Sequence, residues 1–247
     1  MKTTQRLDKI LAHMGYGSRS EIKRLVKMKA VVVNGKPVSD SGLQVNPYED
    51  RIEVDGETVV YKEFIYLMMN KPDGVISATE DNRDRTVIDL LEEKFRHFDP
   101  FPVGRLDKDT EGLLLLTNDG KLSHNLLSPR KHVPKMYFAE VQGLVNERDR
   151  AVFEAGVTLD DGYVTMPAKL SILSLDEREA GGLSRIELTI MEGKFHQVKR
   201  MFEAVGKKVL YLKRMSMGAL LLDEHLEPGQ YRELTEDERQ SLQAEPS

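Results

Sequence analysis

Four turn signals cut this chain into short segments: Asn34-Gly35, Asp55-Gly56, Asp73-Gly74 and Asn118-Asp119-Gly120. Each pair or triplet favours left-handed or tight-turn backbone, so each ends the element before it and reverses the chain. Between them lie runs too short for long helices. Leu7, Ile10, Leu11 and Met14 repeat at helical spacing up to Gly15. Ser18 to Glu21 has the S-x-x-E form of a capping box and predicts a second helix through about Met28. Val31–Val33 runs into the Asn34-Gly35 hairpin signal, Lys36-Pro37-Val38 begins the return, and a further strand is expected near Asp50 to Val54. A linker is expected over residues 57–63.

From residue 64 onward strand signals dominate. Phe64–Met69, Pro102–Leu106, Leu113–Thr117, Tyr137–Val141, Leu170–Leu173, Ile186–Ile190 and Leu210–Leu212 read as strands. Helices are expected where Thr86 caps a segment carrying Val87, Leu90, Leu91 and Phe95, over Leu122–Leu127, and over His196–Val205. This order lacks a βαβ rhythm, so the expected fold class is α+β: a small N-terminal module and a larger domain with a mainly antiparallel mixed sheet flanked by helices and loops. The expected boundaries are 1–60 and 64–240, with 241–247 a frayed tail.

Charge divides the chain in the same place. The 247 residues carry a net charge of −5, which taken whole argues against a polyanionic partner, yet residues 1–36 alone carry +7. Residues 37–63 carry −5 and residues 222–247 carry −6. A small basic module can hold phosphates where the whole-chain charge cannot. The absence of cysteine excludes disulfides, cysteine nucleophiles and thiolate metal sites, and fits a reducing compartment. The N-terminal MKTTQRLDKI lacks the apolar stretch of a signal peptide, and no apolar run approaches a membrane span. A soluble, cytoplasmic protein is expected, with no membrane partner.

The densest polar cluster, Arg105 to Glu111, lies between two apolar segments. A polar loop on a strand scaffold suits a reactive carboxylate, but it is also an ordinary charged turn, and the loop alone does not decide between them. In an extended segment Asp107 and Asp109 would share one face about 6–7 Å apart, a spacing compatible with a two-carboxylate hydrolase. Nothing else in the chain supports hydrolysis.

Motifs in order decide it. Arg6-Leu7-Asp8 with Leu11, then Ser18-Arg19, then Val31 to Gly35, resemble the S4 RNA-binding domain over about 50 residues. That resemblance implies an RNA face of Arg6, Lys9, Ser18, Arg19, Lys23 and Arg24. Beyond it, GRLDKDTEGLLLLTNDG (Gly104 to Gly120), Lys135-Met136-Tyr137 and Glu192 through Met201 resemble the RsuA-type pseudouridine synthases. Asn70-Lys71-Pro72 and Gly229 to Leu234 also match, so the resemblance spans nearly the whole chain. It implies an isomerase that breaks the N1–C1′ bond of a uridine in RNA, turns the uracil, and joins C5 to C1′. It implies no cofactor and no metal, and the chain has no His/Cys ligand cluster.

The same resemblance implies Asp107 as the catalytic carboxylate and Tyr137 stacked on the base, with its phenol placed to help remove the C5 proton. It implies Lys199 as the cation that keeps Asp107 ionised and Arg105 as an aid to base flipping. Lys135 and His196 would contact RNA. Members acting on the large subunit carry Asn and a basic residue where this chain has Phe195 and His196. The F-H-Q-V-K-R-M form, and Ser128-Pro129-Arg130 before Lys135, therefore imply a uridine of 16S rRNA, free or in a small-subunit assembly intermediate, acted on by a monomer. The alternatives are a 23S-directed member of the family and a non-catalytic S4-type RNA-binding or ribosome-assembly factor. The last would leave residues 64–230 without a purpose.

Overall fold

The computed structural model describes residues 4–179 and 181–243. The chain forms two compact units. The smaller runs to Ile65 and takes in Leu91–Pro100; the larger holds Tyr66–Leu90 and the chain from Phe101 on.

In the smaller unit β1 (Gln5–Arg6) leads into α1 (Leu7–His13), and α2 (Arg19–Lys27) follows. The capping box forms as expected: the Glu21 backbone N–H donates to Ser18 Oγ, and the Ser18 N–H donates to the Glu21 carboxylate at 2.7 Å. Then come β2 (Val31–Val33), β3 (Lys36–Pro37), β4 (Gln44–Val45), β5 (Ile52–Val54) and β6 (Glu57–Thr58). They pair as a four-stranded sheet β3-β2-β5-β6 and a separate β1-β4 ladder. Asn34 and Asp55 take φ of 51° at the two hairpin turns, the left-handed backbone that turns of this kind require. Leu7, Ile10, Leu11 and Ile22 are fully buried against Val31 and Ile52. Each such side chain contributes roughly 1.5–3 kcal/mol.

The expected helix from Thr86 to Phe95 does not form as one element. Ile88–Leu90 is a single 3-10 turn, capped reciprocally by Thr86 and Asp89. The short helix α3 (Glu93–Arg96) belongs to the smaller unit, where Phe98 meets His13 edge-on with ring centroids 5.1 Å apart. The helical spacing of Leu90, Leu91 and Phe95 therefore serves two cores, and the chain must break between them.

The larger unit is built from β7 (Tyr66–Lys71), β8 (Phe101–Pro102), β9 (Glu111–Thr117), α4 (Gly120–Leu127), β10 (Lys135–Gln142), α5 (Glu147–Ala155), β11 (Lys169–Asp176), β12 (Leu183–Ile190), α6 (Gln197–Ala204), β13 (Lys208–Met217), β14 (Leu220–Leu221), β15 (Tyr231–Glu233) and α7 (Glu236–Gln243). Its sheet has the order β11-β12-β10-β13-β9-β7-β15, with β14 on β13 and β8 on β9. All these pairings are antiparallel except β13–β9. The α+β class with a mainly antiparallel sheet is thus the observed one. Both faces of β7 and β9 are covered, which is why Leu113–Leu116 reads as an unbroken apolar run and not as an alternation. Leu113 and Leu115 pack with Leu122 and Leu126 of α4. On α5 and α6, Phe153 and Phe202 meet with ring centroids 5.0 Å apart.

Further details depart from the sequence expectation: the linker expected over 57–63 begins with β6, paired to β5, and buries Val59. The strand expected over Pro102–Leu106 stops at Pro102, because Gly104 takes φ +79° and turns the chain away from β9. Helix α5 was not expected, although Asn146 and Asp149 form a full capping box at its start. Of the tail expected to fray, residues 241–243 end α7, and residues 244–247 lie outside the described residues.

Candidate functional site

The loop between β8 and β9 is held from beneath. Lys71, fully buried at the end of β7, donates from Nζ to the carbonyls of Pro72 (3.0 Å), Lys108 (3.1 Å) and Thr110 (2.9 Å). Burial pushes this ammonium down to about 8, against the pull of Asp73, Asp109, Glu111 and Asp107. Ser77 clamps the residue before the carboxylate from both sides: its Oγ donates to the Leu106 carbonyl and accepts from the Leu106 N–H, both at 3.1 Å. The Thr110 N–H donates to the Asp107 carbonyl at 3.1 Å and closes a turn over residues 107–110. Beyond the turn, Gly112 enters the parallel pair with Arg214. A Cβ at Gly112 would lie 2.3 Å from the Arg214 carbonyl oxygen, so only glycine permits this approach. Asp107 is therefore presented by a fixed loop.

Asp107 faces a cavity of about 880 Å³, within the range of small-ligand and nucleotide pockets. Arg105, Tyr137, Phe195, His196 and Lys199 line the same cavity. Tyr137 is buried in the wall on β10. Lys199 Nζ stands 3.4 Å from Asp107 Oδ2, and His196 Nε2 stands 3.5 Å from Oδ1. Helix α6 brings Lys199 in, with His196 at its start, because Val198, Met201 and Phe202, at helical spacing, bury its other face. His196 precedes the helix with φ 48°, a left-handed conformation in which histidine is over-represented. Phe195, 74% exposed, stacks on His196 with ring centroids 3.8 Å apart.

The helix start is fixed by Glu192, a buried carboxylate. It accepts from the Tyr163 hydroxyl (2.6 Å), the Met166 N–H (2.8 Å) and Gln197 Nε2 (3.0 Å). Arg200, next to Lys199, is tied to Asp160 and to Asp161. Asp107 and Asp109 do not stand as an extended i, i+2 pair. The turn brings both to one ammonium, with Lys199 Nζ only 2.6 Å from Asp109 Oδ1. That contact holds the Asp109 carboxyl below its ordinary range. Among the described residues no cluster of three His, Asp or Glu side chains is arranged to hold a metal.

The catalytic set expected from sequence, Asp107, Tyr137, Lys199 and Arg105, is thus gathered at one cavity, with His196 beside it. Lys135 is placed differently. It is half-buried off the cavity wall, donating to the Val133 carbonyl at 2.9 Å, and burial near Arg214 pushes it down to about 8. In the smaller unit Arg6, Lys9, Ser18, Arg19, Lys23 and Arg24 are all exposed. They are not equivalent. Arg6 spends its guanidinium on Asp8, through contacts of 3.0 and 2.7 Å, and Ser18 is occupied as the cap of α2. Arg19 and Lys23 share a face of α2, and Arg24 follows. Sequence reasoning missed Lys71, Ser77 and Glu192 as the residues that fix the loop and the helix. Lys71 and Glu192 lie inside the Asn70-Lys71-Pro72 and Glu192–Met201 motifs; Ser77 carries no sequence signal.

A basic helical module joined to a domain with a carboxylate, a cation and a buried phenol at one cavity fits an enzyme with a polyanionic substrate. Comparison with known proteins narrows the class. Residues 65–204 match the family described as RNA pseudouridylate synthase, and residues 5–52 match the S4 domain. The chain is 56% identical to the uncharacterized RNA pseudouridine synthase YtzG of Bacillus subtilis (strain 168), over 94% of this chain and 96% of that protein. It is 42% identical to ribosomal large subunit pseudouridine synthase B of the same organism, over 97% and 96%. It is 37% identical to ribosomal small subunit pseudouridine synthase A of Yersinia pestis, over 97% and 98%. A crystal structure of a pseudouridylate synthase superposes with a TM-score of 0.66 at 38% identity, covering 96% of this chain and 99% of that one. The chain belongs to the RNA pseudouridine synthases and carries an N-terminal S4 domain.

Proposed function

We propose that this enzyme converts a uridine of 16S rRNA to pseudouridine, with Asp107 as the nucleophile and without a cofactor. The observation that carries the reading is the placement of Asp107, held by Lys71 and Ser77, facing a cavity walled by Tyr137 with Lys199 3.4 Å away. A uridine in a paired helix hides its reacting atoms, so the nucleotide leaves its stack and enters the cavity. Arg105, exposed at the cavity, holds the strand from which it came. Asp107 bonds to the nucleotide and the N1–C1′ bond breaks. The uracil turns against the Tyr137 ring, and C5 bonds to C1′ as Asp107 leaves. C5 then loses its proton, with the Tyr137 phenol assisting, and N1, which kept the electron pair of the broken bond, takes one up. Substrate and product are isomers, so no co-reactant is consumed.

Lys199, 3.4 Å from Asp107 Oδ2, places a positive charge beside the nucleophile. The S4 domain, assigned to residues 1–60, supplies phosphate contacts through Lys9, Arg19, Lys23 and Arg24. Residues 64–240 form the catalytic domain, acting as a monomer in the cytoplasm on the small-subunit RNA or an assembly intermediate. The exposed Phe195 ring, stacked on His196 at the cavity, offers an apolar platform to a nucleotide beside the target. The 16S choice is supported by the small-subunit form of the Phe195–Met201 run and by the 37% identity to a small-subunit synthase. A 23S target is the second reading, favoured by the 42% identity to a large-subunit synthase. Incubating the protein with 16S and 23S transcripts and with subunit precursors, then mapping pseudouridine, separates the two. The expected product is pseudouridine in 16S rRNA; modification of 23S rRNA alone refutes the 16S assignment.

A further inference from the structure

We propose that Asp109 is a positioning residue that shares Lys199 with Asp107 and thereby sets the basicity of the nucleophile. The inference rests on the reading of Asp107 as nucleophile and adds a second carboxylate that touches neither substrate nor reacting atoms. Asp109 is 68% exposed on its side chain and does not line the cavity, whereas Lys199 is 20% exposed and does. The turn closed by Thr110 places both carboxylates on one side of the loop, so a single ammonium serves two anions. The closer contact is to Asp109, at 2.6 Å against 3.4 Å.

The other charges around Lys199 do not replace this arrangement. His196 Nε2 lies 3.5 Å from Asp107, on the opposite oxygen. Lys71 lies beneath the loop, bonded to backbone carbonyls, and feels both aspartates, Asp109 more strongly than Asp107. Lys108 pairs with Asp84 at 2.6 Å, and Arg200 pairs with Asp160 and Asp161. Lys194, also on the cavity lining, sits over the Tyr163 ring at 4.7 Å, and neither it nor Arg105 carries an ion pair to either aspartate among the described residues.

Sharing has a chemical consequence. A carboxylate fully paired with an ammonium is a stable anion and a weak nucleophile, whereas an unpaired one in a cavity takes up a proton. With the ammonium drawn to Asp109 at 2.6 Å, Asp107 at 3.4 Å is left less closely paired than Lys199 could make it. Asp109→Asn keeps the shape of the side chain and removes the charge. It frees Lys199 to close on Asp107, and it removes an anion near Asp107. Both effects lower the proton affinity of Asp107, so their signs agree.

The test is the pH dependence of the single-turnover rate, measured with the full-length protein on a mixture of 16S and 23S transcripts so that target choice does not matter. In Asp109→Asn the acid limb should move down by about one pH unit, and the plateau rate should fall several-fold as the nucleophile weakens. Asp109→Glu should keep both near wild type. An unmoved limb, an unchanged plateau rate, or a Glu variant that behaves like the Asn variant overturns the proposal. Asp107→Asn run alongside keeps the two readings apart. If it still forms pseudouridine, the nucleophile assignment fails. If it is inactive while Asp109→Asn leaves the profile untouched, only the role of Asp109 fails.

Discussion

Lys71→Met isolates the cost of holding a catalytic loop with a buried cation. The native ammonium is fully buried, bonded to three carbonyls, and pushed down from 10.5 to about 8 by burial. Because the folded value lies below the unfolded one, the unfolded chain binds the proton more tightly between these values. Stability therefore rises as pH rises from about 8 through 10.5, and the stabilisation is lost again as pH falls. The full shift corresponds to about 3 kcal/mol, and about 2 kcal/mol once nearby water screens the charge. Methionine does not titrate. Urea unfolding of both proteins at a series of pH values, followed by circular dichroism, should show wild type gaining about 2–3 kcal/mol on the variant between pH 7 and the top of this window. Lys135 carries a similar depression in both proteins and cancels in the difference. The variant should also turn over more slowly at neutral pH, since the carbonyls of Lys108 and Thr110 lose their donor. Parallel stability curves across the whole range would refute the account of Lys71 as a desolvated ammonium.

Replacing Arg19, Lys23 and Arg24 together by alanine should weaken rRNA binding and reduce the slope of log affinity against log salt by about 2, measured by filter binding at several salt concentrations, because each lost phosphate contact releases fewer counterions. An unchanged slope would mark this face of α2 as merely solvated. Substitution is a cleaner probe than deleting residues 1–60, because Leu91–Pro100 packs within the same unit and would lose its cover. Gly112→Ala forces a Cβ to within 2.3 Å of the Arg214 carbonyl at φ +100°, and should destabilise the protein by at least about 2 kcal/mol in urea titration.

Features with local causes were legible in the sequence. The Ser18–Glu21 capping box, the Asn34-Gly35 and Asp55-Gly56 turns, and α6 with its apolar face on Val198, Met201 and Phe202 all stand where local chemistry places them. Features that depend on distant partners were not. Leu90, Leu91 and Phe95 carry helical spacing, yet the chain passes from one compact unit to the other between Leu90 and Leu91, which spacing cannot reveal. The strand expected through Leu106 ends early because Gly104 turns the loop, and α5 was overlooked although Asn146 and Asp149 announce its start.

The site divides in the same way. Family motifs named Asp107, Tyr137, Lys199 and Arg105, and the fold gathers these four at one cavity. What holds them is a tertiary arrangement of a buried lysine under a loop, a serine bridging one residue, and a carboxylate tying Tyr163 and Met166 to a helix start. Lysine, serine and glutamate are ordinary surface residues by type, so their burial becomes visible only once the chain is folded.

The central claim is that the Asp107 carboxylate performs the isomerisation. Asp107→Asn removes its charge while leaving the Ser77 clamp and the Lys71 anchor in place. Incubated with rRNA and assayed by pseudouridine mapping, the variant should form no product while binding RNA with near wild-type affinity. Pseudouridine formation by Asp107→Asn at a rate close to wild type would contradict the account.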